Sequence, residues 1–397
     1  MILSQKARSI SESLTLSIDA KAKRMKSEGC DVVGFGAGEP DFPTPDFIIQ
    51  AAKEALDKGF TKYTPSSGTL QLKQAICRKL ERENHIIYTP EEVIVSNGAK
   101  HSLYNILQTI LNPGDEVIIP RPYWLSYPEM VRMADGISVF VDTREGDCFK
   151  VTADDLRKAV TPKTKALILN NPSNPNGCVY QEEELREIAD LAVEKGFFLI
   201  SDEIYEALVY DGRKHISIAS LNDKVRALTF TVNGMSKAFA MTGWRIGYVA
   251  GPKEAIKVMG NIQSHSTSNP NSIAQYASTV ALNAPRDCVR DMVCEFNKRR
   301  LYMTERIHSI RHLSCKKPEG AFYIMMNISR SFGKRHGNTL IHNSLSFSDA
   351  LLESKMVTVV PGIAFGADSF VRLSYATSMD NIRKGLDRIE EFMNELV

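Results

Sequence analysis

Lys237 and Arg245 stand in the stretch Asn233-Gly-Met-Ser-Lys-Ala-Phe-Ala-Met-Thr-Gly-Trp-Arg-Ile-Gly-Tyr-Val-Ala-Gly251, between two apolar runs at 227–232 and 246–250. A lysine amine becomes a nucleophile when its pKa falls from about 10.4 toward about 7 to 8, and apolar neighbours plus a second cation bring that about. Met235, Phe239, Met241 and Trp244 are candidates for the apolar wall, and Arg245 for the second charge. Ser236 and Arg245 are also residue types that hold a phosphate dianion, through a hydroxyl and a planar fork of donors. The stretch reads as a Schiff-base lysine beside a phosphate clamp; a buried turn with a solvated lysine is the alternative.

Other chemistry-bearing residues stand where apolar runs stop. Asp202 follows the run 197–201 and opens Asp202-Glu-Ile-Tyr205, so its carboxylate either caps a helix or faces a buried cation. Asn174 lies in Asn170-Asn-Pro-Ser-Asn-Pro-Asn-Gly177, beyond the run 165–169, where side-chain amides are presented at a strand end. Arg372, in Val371-Arg-Leu-Ser-Tyr375, is a charge inside an apolar strand, expensive unless paired. A ligand carboxylate or a buried structural salt bridge would pair it. Trp124, in the aromatic run Arg121-Pro-Tyr-Trp-Leu-Ser-Tyr-Pro128, either stacks on a ring or simply packs. Asn97-Gly98 precedes a helix, which frees the first amides, at Ala99 and Lys100, for an anion. Lys100 is otherwise a solvated helix lysine, and Tyr63 a loop aromatic. The glycines of Val32-Val-Gly-Phe-Gly-Ala-Gly38 do not make a dinucleotide loop, because Pro40, Pro43 and Pro45 bar the helix that must follow. They let backbone approach a ligand, with Gly38 nearest.

To converge, these residues need a common scaffold. From residue 93 the chain alternates strand, turn and helix: apolar runs at 93–96, 116–120, 137–141, 165–169, 197–201 and 227–232, with helical periodicity at 99–111 and 182–195. That alternation predicts an α/β fold with a mostly parallel sheet covered on both faces. Ligands of such sheets bind beyond the carboxyl ends of the strands. Ala99, Trp124, Asn174, Asp202 and Lys237 all fall at such ends, which points to one composite site. Further helices are expected at 13–29, 46–58, 69–84 and 253–310, the last interrupted near 268–271 and at Pro285. Strands at 320–326, 357–360 and 370–375, with helices at 346–355 and 379–396, suggest a smaller α+β unit. The expected division is a large domain over 46–284 and a small domain formed by 1–45 and 285–397.

A length of 397 residues fits two domains, and 43% hydrophobic with 24% charged residues is ordinary globular composition. The net charge of +2 arises from 49 basic and 47 acidic side chains, well mixed, which gives no footprint for nucleic acid or anionic membrane. Seven cysteines at irregular spacings form no zinc or disulfide pattern and fit a reducing compartment. With neither a signal peptide nor an apolar run of about 18 residues, the expectation is a cytoplasmic protein.

Ser236-Lys237 followed by Gly-x-Arg-x-Gly resembles the pyridoxal-phosphate lysine motif of the class I aminotransferases. The ordered series Asn174, Asp202, Tyr205, Ser236-Lys237, Arg245, Arg372 extends the resemblance over nearly the whole chain. Gly-Glu-Pro-Asp-Phe, Pro-Tyr-Trp-x-Ser-Tyr-Pro, Ser-Asp-Glu-Ile-Tyr and Val-Arg-Leu-Ser-Tyr-Ala-Thr-Ser are similar in particular to the bacterial-type aspartate aminotransferase branch. The resemblance implies the fold type I of pyridoxal-phosphate transferases, pyridoxal 5'-phosphate as cofactor, and a homodimer with shared sites. It implies that Lys237 anchors the cofactor and shuttles a proton, that Asp202 pairs the ring nitrogen, and that Asn174 and Tyr205 donate to the ring oxygen. Trp124 would stack on the ring. Ala99, Lys100, Ser236 and Arg245 would hold the phosphate, with Tyr63 reaching the neighbouring subunit's phosphate. The substrate would meet Arg372, Gly38, Trp124 and Asn174, and its distal carboxylate Lys100 and Thr15. The implied reaction moves an amino group between L-aspartate and 2-oxoglutarate. Aromatic, alanine or prephenate specificity, or a β-lyase, are the alternatives; Ser11 stands near Thr15, where prephenate-accepting members carry a basic residue.

Overall fold

Runs rich in β-branched and aliphatic residues, buried in the central strands and partly exposed at the Ile137–Asp142 edge, pair into a seven-stranded sheet. The strand order across it is Val93–Ser96, Gly247–Ala250, Thr229–Gly234, Phe198–Asp202, Thr164–Asn170, Glu116–Arg121, Ile137–Asp142. Neighbours are parallel except Gly247–Ala250, which runs antiparallel to both strands beside it. The computed structural model describes residues 3–397, apart from the side chains of Leu16 and Asp19. Strands buried on both faces read as continuous apolar runs because alternate residues feed two different layers. Val117, Ile119, Ile168 and Ile200 pack under helices Ala99–Ile110 and Lys253–Ser266, whereas Ile118, Leu167, Leu169 and Leu199 pack under Glu182–Lys195. The mostly parallel, doubly covered sheet is the one the alternation predicts.

A second, four-stranded antiparallel sheet follows the order Val360–Pro361, Phe370–Ser374, Tyr323–Asn327, Ser314–Cys315. Its core is closed by Phe296 and Met303 of the helix Asp287–Ser309 and by Leu386, Ile389 and Phe392 of the helix Met379–Glu395. The N-terminal segment joins this half: Val33–Gly34 pairs in parallel with Val357–Thr358. The cysteines are all unpaired. Among the described residues no helix is long and apolar enough to cross a membrane.

Three local readings are corrected. The aromatic run after Arg121 is not wholly loop, since Ser126–Met133 forms a helix that buries Tyr127, Met130 and Val131. The helix expected over 69–84 is α-helical at Leu70–Lys79, then widens into a π-turn at Leu80–Asn84. The strand expected at 197–201 is shifted by one residue, so Asp202 ends a strand, and the residues after it form a turn rather than a helix to cap.

Candidate active site

The carboxyl ends of the parallel strands open into a cavity of about 620 Å³. Thr15, Gly38, Ala99, Lys100, Trp124, Asn174, Asp202, Tyr205, Ser236, Lys237, Arg245 and Arg372 all line it. Tyr63 does not: it is 91% exposed on the surface of this chain.

Lys237 sits on the loop between Thr229–Gly234 and the returning antiparallel strand. Its Nζ donates to the Gly38 carbonyl at 2.5 Å. The segment carrying Gly38 lies across this loop as a strap, through Thr242 Oγ1 to Glu39 at 2.7 Å and Thr44 Oγ1 to the Ala240 carbonyl at 2.8 Å. Burial pushes the Lys237 amine down to about 8; Arg245 and Arg372 add to this, and Glu39 and Asp202 oppose it. The apolar wall is not the one expected. Met235, Phe239 and Met241 are turned into the core beneath, and Trp244 donates Nε1 to Thr44 Oγ1 at 2.9 Å. The rings of Tyr205 and Phe322, with centroids 6.0 and 5.9 Å from Nζ, flank the amine instead.

An anion cradle stands beside it. Arg245 takes φ +56° and donates to the carbonyls of Thr242 at 2.9 Å and Asn97 at 3.2 Å. Its guanidinium crosses over Gly98, where φ is +88° and a Cβ would overlap it, so this position requires glycine. The helix Ala99–Ile110 starts there without a side-chain cap, leaving its first turn to an anion together with Ser236.

Across the cavity, Asp202 is buried and accepts from Tyr127 Oη at 2.7 Å and from the Ile204 amide at 3.3 Å. Burial outweighs these bonds and raises its carboxyl to about 6, so the site is poised for a cationic partner. Tyr205 Oη lies 3.0 Å from Tyr323 Oη. Tyr127 and Tyr323 also line the cavity and escaped sequence reasoning. Tyr127 follows Trp124 by one helical turn, a spacing that offered a signal; Tyr323, in an apolar strand, offered none beyond packing.

Arg372 is 3% exposed, donates to Asn174 Oδ1 at 2.9 Å and to the Gly36 carbonyl at 3.0 Å, and keeps a buried Nε without a partner. It lies against the rings of Tyr323 and Phe365, centroids 4.2 and 5.0 Å from Cζ. Among the described residues it makes no ion pair with a carboxylate, which removes the buried salt bridge as its explanation. Lys100 projects Nζ over the Trp124 ring, 4.8 Å from the centroid; burial, and then Arg245, lowers its pKa. Thr15 Oγ1 lies 3.0 Å from Ser13 Oγ at the same cavity.

Residues 30–389 match the family described as aminotransferase class I and II. The chain belongs to that family. Among curated relatives, this aminotransferase is 48% identical to the aspartate aminotransferase of Geobacillus stearothermophilus over 99% of both chains. It is 44% identical to the aspartate/prephenate aminotransferase of Nitrosomonas europaea, covering 99% of this chain and all of that one. Among solved structures, the aspartate aminotransferase of Rhizobium meliloti superposes with a TM-score of 0.97 at 42% identity over the whole of both chains. The Thermus thermophilus enzyme, solved with maleate, gives 0.94 at 44% identity, covering 99% of this chain and 100% of that one.

Proposed function

We propose that this aminotransferase moves the amino group of L-aspartate to 2-oxoglutarate, yielding oxaloacetate and L-glutamate, with pyridoxal 5'-phosphate as cofactor. The observation that carries the reading is Arg372: a buried guanidinium without a carboxylate partner opens onto the same cavity as an amine whose pKa is lowered to about 8. The donor set fits the cofactor group by group. Arg245, Ser236 and the uncapped start at Ala99 and Lys100 match a phosphate, and the room left above Gly98 is taken by the guanidinium that would grip it. Asp202 matches a protonated ring nitrogen, Trp124 a ring face, and Lys237 an aldehyde carbon. When bound, the cofactor supplies an electron sink for the pair released at the substrate α-carbon.

The chain's own groups do the rest. Arg372 orients the α-carboxylate bidentately, each hydrogen bond to charge contributing about 1.5 to 3 kcal/mol. Asn174 spends Oδ1 on Arg372, so its Nδ2 is the group left for the ring oxygen, beside Tyr205. Lys237 Nζ, with its pKa lowered to about 8, takes a proton from the α-carbon and returns it elsewhere on the ligand. Lys100 and Thr15 stand ready for a distal carboxylate, which favours dicarboxylate substrates. That choice agrees with the names of the relatives and with maleate, a dicarboxylate, in the Thermus structure. The exposed ring of Tyr63 is assigned to a homodimer, in which it would complete the phosphate site of the neighbouring copy. The same reading takes 46–284 and the pair 1–45 with 285–397 as the two domains, and places the protein in the cytoplasm. Purified protein loaded with pyridoxal phosphate is expected to be yellow and to lose that absorbance on addition of aspartate. A spectrum unmoved by aspartate but changed by tyrosine or alanine overturns the substrate assignment.

A further inference from the structure

The turn that carries Asp202 and Tyr205 has open space on both sides. Asp202, Ile204 and Tyr205 line the cavity in front, while Asn84, Glu206, His215 and Ser217 line a second cavity of about 770 Å³ behind. Tyr205 and Leu208 pack this turn into the core, with Tyr205 edge-on to Phe322 and Tyr323, and directed bonds hold the part of it that stands between the two cavities. The large sheet ends its hold early: its last bond here is from the Glu203 amide to the Val232 carbonyl at 2.8 Å; Glu206 N to Glu203 O and Leu208 N to Tyr205 O are internal to the turn, and the backbone is next tied outward only at the Leu208 carbonyl, which accepts from the Ala321 amide at 2.9 Å.

Glu203 is fully buried and ties the turn to the segments behind it. Its Oε1 accepts from Ser201 Oγ at 2.9 Å and Ser217 Oγ at 2.6 Å; its Oε2 faces His215 Nε2 at 3.0 Å and Asn84 Nδ2 at 3.5 Å. Glu206, one residue past Tyr205, is paired to Lys79 and accepts from Asn84 Nδ2 at 2.8 Å. Lys79 Nζ closes the set on Asn84 Oδ1 at 2.8 Å. Glu203, Glu206 and His215 converge closely enough to suggest a metal site, but Glu206 is already paired with the Lys79 ammonium and Glu203 is engaged by His215, Ser201 and Ser217. The cluster is a strut from the turn to the π-turn at Leu80–Asn84 and to the 215–217 loop.

We propose that Glu203 is a positioning residue for the transamination, holding from behind the turn that presents Asp202 and Tyr205 to the cavity. It touches neither ligand nor reacting atoms and acts through those two residues. A displacement of about 1 Å at such groups costs about a hundredfold in rate. The substrate-facing Arg372, Asn174 and Lys100 stand on other segments, so the loss falls on kcat.

The inference rests on the transamination reading, and the test separates the two. In holoenzyme carrying Glu203→Gln, kcat for aspartate with 2-oxoglutarate is expected to fall about tenfold or more, with KM for aspartate within about threefold. The visible circular-dichroism band of the bound cofactor, which reports how the ring is held, is expected to lose about half its amplitude, a change that a loss of overall stability would not produce. Should that variant fail to fold, Ser217→Ala removes one of the donors and is expected to move kcat and the band in the same directions by about a third as much. A dichroism band unchanged in the variant, with or without lost activity, overturns the positioning role while transamination by the wild type stands. Wild-type protein without aspartate turnover overturns both.

Discussion

Lys79, behind the turn that carries Asp202 and Tyr205, is 1% exposed with its ammonium against Glu206 and Asn84, whereas Lys237, in front of it, opens on a cavity with two guanidiniums among its charged neighbours. Burial disfavours the charge on both. For Lys79 the carboxylate of Glu206 overcomes that and its pKa rises; for Lys237 burial prevails, because Arg245 and Arg372 stand against the carboxylates of Glu39 and Asp202, and its pKa falls to about 8. Burial therefore does not make an amine reactive by itself; what lies beside it decides between a structural cation and a base.

Substitution of either lysine separates the two roles. Lys237→Ala is expected to lower kcat at least about 10⁴-fold, since it removes both nucleophile and proton carrier, while the melting temperature stays within a few degrees of wild type. Lys79→Met should do the reverse. It strands the Glu206 carboxylate in the interior and is expected to cost about 3 to 5 kcal/mol in urea denaturation, most of it regained in the double variant with Glu206→Leu. The smallest effect is in pH dependence, measured as melting temperature of cofactor-free protein. The folded pKa of Lys237 lies below its unfolded value, so the unfolded chain binds more protons between about 8 and 10.5 and stability rises with pH there. Lys237→Met should lack this rise, so its advantage over wild type shrinks across that window. Lys79 has the opposite sign: its folded pKa is raised, so its contribution is complete below 10.5 and fades above.

What could be read from the residues alone follows the reach of the physical signal. The sheet was legible because strands buried on both faces are long apolar runs, and the runs at 93–96, 116–120 and 165–169 fall within a residue of the strands Val93–Ser96, Glu116–Arg121 and Thr164–Asn170. Convergence was legible too, since strand ends in such a sheet share one rim. Facing was not. Nothing local separates Met235, Phe239 and Met241, which point into the core, from Tyr205 and Phe322, which flank the amine from distant segments. The Glu203 strut was equally hidden, because its parts lie at 79–84, 201–206 and 215–217 and only the folded chain joins them.

The single antiparallel strand has a consequence for loop length. Because Gly247 pairs with Gly234 and the Met235 amide bonds the Ile246 carbonyl at 3.0 Å, the chain leaves and re-enters the sheet at neighbouring points about 4.8 Å apart. Lys237 and Arg245 both stand on the loop between these points, so a residue added or removed there changes the spacing of the amine and the guanidinium. The register of the two strands therefore also sets the distance between the two cations of the site.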